Sequence, residues 1–459
     1  MANKVILVPY PAQGHVTPML KLAAALLNHG GLAPMLVVPE FIHRRISPQI
    51  EAATGGRIPC VAIPDGLDDD DEQPVDFFVV ERAMEESMPL HLQRLVLHHQ
   101  SRRHGGGGGG VAFMVVDLLA SYAINVGKTC GVEVVGFWPA MFATYKLIAS
   151  IPEMVESGLI SDDSGCPLQD APMSLVPGQP PIYAKEMPWL IGTSTARKVR
   201  FKFWKRTFDR STTLGSLLVN SFPEECNYFP NHYDSNEDLS KPVQIIPIWP
   251  INYGTNAATG TFWEEDLSCL EWLDNQSHGS VIYISFGSWV SPIGEAKVKA
   301  LALGLEASKR PFLWVLGPLW RKGLPLNFID KMTSKGVQGK IVSWAPQMKV
   351  LQHEAVGCYL THCGWNSTME AIECKKRLLC YPVAGDQFLN CAYIVNLWRI
   401  GVRLDGFGGR DLNEGIKKVM EDREMSERIV KLNGRLMGKQ RCSRNVAALT
   451  TFVNSVMRR

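Results

Sequence analysis

Three places along the 459-residue chain gather side chains that could do chemistry together. The densest is Thr361-His362-Cys363-Gly364 followed by Trp365-Asn366-Ser367. It reads as a strand end, a glycine and a helix N-terminus, and that combination makes an anion site. First-turn N–H groups and the positive end of the helix dipole face whatever lies in front. His362, Asn366 and Ser367 add donors suited to a diphosphate, and Glu370 one turn on could accept from a ribose hydroxyl. Trp344 offers a flat face on which a base could stack. The second place is Gln13-Gly14-His15, between the apolar run Val5–Val8 and Thr17-Pro18, which reads as an N-cap and first-turn proline. A lone histidine is more often structural than catalytic, yet open α/β sheets place ligands at the carboxyl ends of their strands. The third is Asp117, ending Val111–Val116. A carboxylate there could cap the helix expected near Ser121 or orient an imidazole, and capping is the simpler reading.

The elements that must position these groups alternate. Val5–Val8, Pro34–Val38, Ile58–Ile63, Val111–Val116 and Val132–Phe137 read as strands, with helical patterns between several of them. Such alternation implies parallel strands joined by crossovers. From Cys226 to Phe262 the chain turns polar and irregular, which places a linker in its later part, around 240–262. A second series follows: strands at Val281–Phe286, Phe312–Leu316, Lys340–Ser343, Val356–Thr361 and Leu378–Pro382, with helices including Glu295–Ser308 and Gln387–Trp398. The tail from Ser426 is basic and helical in pattern. The expected fold class is α/β, with two Rossmann-like domains facing each other across a cleft. Their expected bounds are 1–240, a linker at 241–262, and 263–440, with a helix at 441–459 packing back on the first domain. The acidic run Asp68 to Glu72 and the six glycines Gly105 to Gly110 read as a solvated loop and a flexible connector.

Composition narrows the function classes. Forty-seven basic and forty-five acidic side chains leave a formal charge of +2, so nucleic acid and anionic membrane have no electrostatic case as main partners. Eleven scattered cysteines argue against a disulfide framework and for a reducing compartment. No apolar run reaches the ~20 residues of a membrane span, and the N-terminus lacks a secretory pattern, so a cytoplasmic protein is expected. A dinucleotide-dependent oxidoreductase would want G-x-G-x-x-G, which neither Ala12–Val16 nor Phe286–Val290 supplies, and no nucleoside-triphosphate loop is present. Cys358, His362 and Cys363 lack a fourth zinc ligand at convincing spacing.

The residues from Trp344 to Gln387 resemble the signature box of the plant secondary-product UDP-dependent glycosyltransferases, a branch of inverting glycosyltransferase family 1. The box opens Trp344-Ala345-Pro346-Gln347, passes through Thr361-His362-Cys363-Gly364-Trp365-Asn366-Ser367 to Glu370, and closes on Asp386-Gln387. Trp272-Leu273-Asp274 and Ser285-Phe286-Gly287-Ser288 extend the resemblance upstream. It implies a GT-B fold and transfer of a hexose from UDP-sugar to a small lipophilic acceptor, with UDP-glucose as the donor substrate and no bound cofactor or metal. Trp344 would stack on uracil, with Ala345 and Gln347 beside base and ribose and Glu370 on the ribose hydroxyls. His362, Gly364, Asn366, Ser367 and Ser288 would hold the phosphates, while Trp365, Asp386 and Gln387 would face the sugar. Glutamine at the last position favours glucose.

The resemblance also makes His15 the general base and Asp117 its partner, so that the acceptor attacks opposite UDP and the anomeric configuration inverts. Phe137, Trp138, Met141, Phe142, Met187, Trp189 and Leu190 could line an acceptor pocket. A non-catalytic binder of sugar nucleotide or lipophilic ligand is the rival class, and the intact His15 and Asp117 speak against it. One departure stands out. Where the family writes Gly-Val-Pro, this chain has Lys375-Lys376-Arg377, whose simplest placement is in solvent, complementing the dipole at a helix C-terminus.

Overall fold

The computed structural model describes residues 2–67, 76–101, 109–169, 172–173, 179–183, 186–222, 243–250, 263–288, 293–334 and 339–458. The acidic run and glycines 105–108 lie outside these. The described strands form two wholly parallel sheets. The first joins β1 (Asn3–Val8), β2 (Leu32–Pro39), β3 (Cys60–Ile63), β4 (Val111–Asp117), β5 (Glu133–Trp138), β6 (Ser216–Val219) and β7 (Gln244–Pro247), in the order β3-β2-β1-β4-β5-β6-β7. The second joins β8 (Val281–Ser285), β9 (Phe312–Val315), β10 (Gly339–Val342), β11 (Val356–Thr361), β12 (Arg377–Cys380) and β13 (Gly401–Arg403), in the order β10-β9-β8-β11-β12-β13. Among the described residues, helices run between most successive strands of each sheet and cover its faces. That is why β4 (VAFMVVD) and β11 (VGCYLT) read as continuous buried runs and not as alternating ones. Strand order reverses between β1 and β4 in one sheet and between β8 and β11 in the other.

The chain divides into two compact units. One comprises Met1–Ile151, Lys202–Phe262 and Lys439–Arg459; the other comprises Pro152–Phe201 and Trp263–Gly438. The segment Pro152–Phe201, expected with the N-terminal half, therefore belongs to the second unit. There buried Glu186 accepts from Arg403 of β13 at 2.8 Å. The terminal helix Lys439–Met457 lies in the first unit, where Asn445 donates to the Trp249 carbonyl. Part of the expected linker is a strand, because Gln244–Pro247 pairs in register with Ser216–Val219. Its β-branched pair Ile245-Ile246 suits a sheet edge better than a tether. Among the described residues no helix is long and apolar enough to cross a membrane.

Two local expectations change. The first helix opens at Gln13, not at Thr17, with Ala12 as an extended N-cap whose carbonyl accepts from the His15 and Val16 amides at 2.9 Å. Thr17 instead accepts from the Gln13 side chain at 2.8 Å. Pro18 forfeits one intrahelical bond, which burial of Val16, Met19, Leu20, Leu22 and Leu26 outweighs. His15 thus sits in the first helical turn. The helix from Gln387 is α-helical only to Ala392 and widens into a π turn over Tyr393–Leu397.

The triplet Lys375-Lys376-Arg377 is not simply solvated. Lys375 is exposed and occupies the left-handed region at φ 56°, the conformation a glycine adopts without strain. Lys376 is half-buried and donates to the carbonyls of His353 at 3.0 Å and Val356 at 2.7 Å, and burial lowers its pKa. Arg377 reaches the Asp422 carbonyl at 3.3 Å. Two of the three cations therefore fasten the turn to its neighbours. Lys375→Gly should raise the unfolding free energy by about 1 kcal/mol. Lys376→Met should lower it by about 1–3 kcal/mol by removing both of its donations, of which the His353 carbonyl keeps a second donor in the Val356 amide at 3.2 Å. Chemical denaturation of the two variants beside the parent checks both signs.

Candidate active site

At the reversal point of the first sheet, β1 leads into the helix carrying His15 and β4 ends on Asp117. The pairing Val8↔Val116 brings those two carboxyl ends level. His15 Nδ1 donates to Asp117 Oδ2 at 2.7 Å. The other carboxylate oxygen accepts from the Leu119 amide at 3.0 Å and caps the short turn Leu118–Ala120. Capping and imidazole-orienting, alternatives on sequence alone, are here performed by different oxygens of one group. Asp117 is fully buried whereas the His15 side chain is 21% exposed. With Nδ1–H committed to the carboxylate, Nε2 is the nitrogen able to take a proton. Tyr10 packs its ring against the imidazole at 5.1 Å between centroids.

At the reversal point of the second sheet, Ser285 of β8 pairs with Thr361 of β11. His362 follows directly, and its imidazole lies where a Cβ on either Gly287 or Gly364 would collide with Nε2. Both positions therefore require glycine; Gly287 has φ 78° besides. Cys363, between His362 and Gly364, is held at φ 67°, a strained value for a non-glycine residue. Burial pushes the His362 pKa down to about 4, a hydrogen bond with the Ser285 backbone opposing the shift. The ring is neutral near pH 7. Gly364 N-caps the helix Trp365–Glu373 and, being glycine, supplies no capping side chain of its own. Ser288, half-buried, follows Gly287 on the β8 side of the same crevice.

Behind this turn lies a polar network. The Tyr283 and Tyr359 hydroxyls each donate to Gln347 Oε1 at 3.1 Å, and Gln347 Nε2 donates to Ser367 Oγ at 3.1 Å and Glu370 Oε2 at 2.7 Å. The amide's two acceptor and two donor positions are all used. Gln347 therefore holds Glu370 and Ser367 in place. The two tyrosines are cross-strand partners whose rings stack at 4.8 Å. Sequence reading passed over them, although a hydroxyl in a strand buried on both faces is a signal, because it must find a partner inside.

The remaining expected residues are placed as follows. Trp344 is partly exposed, and its indole is backed by Trp263, stacked at 4.6 Å and 29°. Ala345 is buried beside it. Gln387 Oε1 accepts from the Val383 and Ala384 amides, both at 2.9 Å, which orients its NH2 group. Asp386 accepts from Asn390 at 2.9 Å, and the same Asn390 nitrogen donates to the Cys363 carbonyl at 2.9 Å. Asn366 and Trp365 stand in the first turn of their helix. Phe137, Trp138, Met141, Phe142, Met187 and Trp189 are all buried, and Leu190 is partly so. Trp138 and Trp189 donate their indole N–H to the Met141 and Gly165 carbonyls, both at 2.8 Å. Met187, Trp189 and Leu190 belong to the second unit and the others to the first.

A family model for UDP-glucoronosyl and UDP-glucosyl transferase matches residues 236–459. The chain is 52% identical over 450 residues to UDP-glycosyltransferase 82A1 of Arabidopsis thaliana, covering 95% of each protein. It is 32% identical over 445 residues to UDP-glycosyltransferase 83A1 of the same plant, covering 93% of this chain and 91% of that one. Among solved structures it is similar to Os79 from O. sativa in complex with UDP, with a TM-score of 0.76 and 25% identity over 97% of this chain and 99% of that one. It shares the fold of UGT71G1 from Medicago truncatula complexed with UDP-glucose, with a TM-score of 0.79 and 21% identity over 99% and 98% of the two chains.

The depressed pKa of His362 has a pH consequence. The unfolded imidazole takes a proton near 6.5 and the folded one only near 4. The stability tied to its neutral form is complete above 6.5 and is lost as the pH falls from 6.5 to 4. Denaturation midpoints of His362→Gln should fall less steeply than those of the parent across that window. Tyr283→Phe and Tyr359→Phe, each removing one donor from Gln347, should weaken UDP binding by about three- to tenfold, read by calorimetry.

Proposed function

The chain belongs to the UDP-glucoronosyl and UDP-glucosyl transferase family, and on that premise we propose that it transfers glucose from UDP-glucose to a hydroxyl or carboxyl of a small lipophilic metabolite, with inversion at the anomeric carbon. The observation that carries the mechanism is the 2.7 Å bond between His15 and Asp117. His15 Nε2 takes the acceptor's proton while the acceptor oxygen forms its bond to the anomeric carbon and the bond from that carbon to the diphosphate oxygen breaks. Asp117 steadies the imidazolium that results, as the carboxylate does in a hydrolase triad.

The second unit holds the donor. Trp344, stiffened by Trp263, stacks on uracil, and Glu370, aimed by Gln347, accepts from the ribose hydroxyls. Charge that develops on the departing diphosphate meets the N-terminus of the helix Trp365–Glu373, the neutral His362 ring and the Ser288 and Ser367 hydroxyls. Such fixed donors stabilise a transition state without reorganising, and they supply the role a divalent ion would otherwise play. Gln387 offers its oriented NH2 group to a sugar hydroxyl, with Asp386 and Trp365 beside it.

Purified protein mixed with UDP-glucose, a chelator and a pool of phenolic, terpenoid and carboxylic acceptors should yield a product heavier by one hexosyl unit, with inverted configuration at its anomeric centre. His15→Ala leaves Asp117 buried with a single amide partner, so His15→Gln, which can retain the hydrogen bond, is run beside it. Both variants should lose at least about 100-fold in kcat while binding UDP as the parent does. Retained turnover, or equal loss of UDP binding, would remove His15 from the role of base.

A further inference from the structure

Three thiols that the transfer reaction does not use meet inside the second unit. Cys363, Cys380 and Cys391 are buried, none is in a disulfide, and their Sγ atoms all lie within 4.8 Å of one another. They come from separate elements: the turn after β11, the end of β12, and the helix Gln387–Ala392. The pairing Thr361↔Cys380 sets the first two side by side, and the bond from Asn390 to the Cys363 carbonyl brings the neighbouring Cys391 to them. On sequence alone Cys358 and His362 fail as metal-binding companions of Cys363 for want of a fourth ligand; the fold groups Cys363 with a different pair.

We propose that this trio is a binding site for trivalent arsenic, arsenite being the simplest form. Three sulfurs no more than 4.8 Å apart surround a centre at most about 2.8 Å from each, so a pyramidal arsenic with thiolate bonds of ~2.3 Å needs each sulfur to move inward by no more than about 0.8 Å. Coordination number and charge decide the occupant. Zinc wants a fourth ligand, and among the described residues no further histidine, cysteine or carboxylate joins the cluster. A dication on three thiolates would also leave a net negative charge in a site closed to water, which is costly. Trivalent arsenic needs three ligands and leaves none. Three As–S bonds replace three As–O bonds, three thiol protons leave with three hydroxides as water, and no atom changes oxidation state.

Burial pushes the Cys363 and Cys380 thiols up, while hydrogen bonds with those two thiols and the Arg403 charge draw Cys391 down. Entry requires a local opening, and the π turn that begins two residues after Cys391 is the irregular element beside the trio. The loading rate should therefore level off at high arsenite concentration.

Native mass spectrometry of the full chain after arsenite treatment should show one arsenic retained per molecule, with three protons replaced. Cys380→Ser and Cys391→Ser should each weaken retention by about 100-fold or more, since a tethered third thiol acts at high effective concentration, and Cys269→Ser should not. Should a serine variant fail to fold, arsenite must instead shield Cys363, Cys380 and Cys391 of the parent from a maleimide mass tag. Arsenic held elsewhere, arsenic surviving loss of one of these thiols, or tight zinc binding at the trio in preference to arsenite would overturn the assignment. Because Cys363 lies between His362 and Gly364, loading should also weaken UDP binding. That consequence rests on the donor-site reading, whereas the arsenic stoichiometry does not, so the two can fail separately.

Discussion

Parallel pairing around a reversal of strand order is the constraint on which everything else in this protein depends. A parallel strand cannot return by a hairpin, so each crossover carries a helix over one face of the sheet. Where the order reverses, the connections leave toward opposite faces, and a crevice opens at the carboxyl ends. β1 beside β4 makes such a crevice in one sheet, and β8 beside β11 makes it in the other. Every polar group assigned to proton transfer or phosphate binding stands within a few residues of one of these four strand ends. The sheets must be apolar on both faces to be covered, so the chemistry is confined to their rims.

Confinement to the rim raises the cost of each buried polar atom, and at Asp117 and Gln347 the structure answers by committing every available oxygen and nitrogen. Asp117 divides its two oxygens between an imidazole and a backbone amide. Gln347 spends both ends of its amide on two tyrosines, a serine and a glutamate. A group so committed cannot rotate without breaking several bonds, which turns desolvation cost into positional precision. His362 follows another course: burial keeps it neutral, and two glycines keep the backbone close around it. Strain is tolerated here as well, with Cys363 in the left-handed region one residue from the ring.

The Lys375-Lys376-Arg377 turn shows how a departure from a family pattern can be absorbed. Replacing glycine by Lys375 accepts an unfavourable φ, and Lys376 then holds the carbonyls of His353, in the turn before β11, and of Val356, the first residue of that strand. The fastening is local to that turn.

Much of the plan was legible in the residues themselves. Buried parallel strands are short apolar runs, a glycine before a polar first turn marks an anion site, and the Trp344–Gln387 pattern carries its own register. These are local properties, set by neighbours in the chain and by the periodicities of helix and strand. What only the tertiary structure decided is which distant residues meet. That Asp117 both caps a turn and holds His15, that Tyr283 and Tyr359 converge on one amide, that Glu186 ties the segment before Phe201 to β13, and that three separated cysteines share a pocket all follow from strand order and register. Strand order is invisible to local pattern, because parallel neighbours are joined through crossovers of a dozen residues or more and nothing along the chain records which edge the next strand will take.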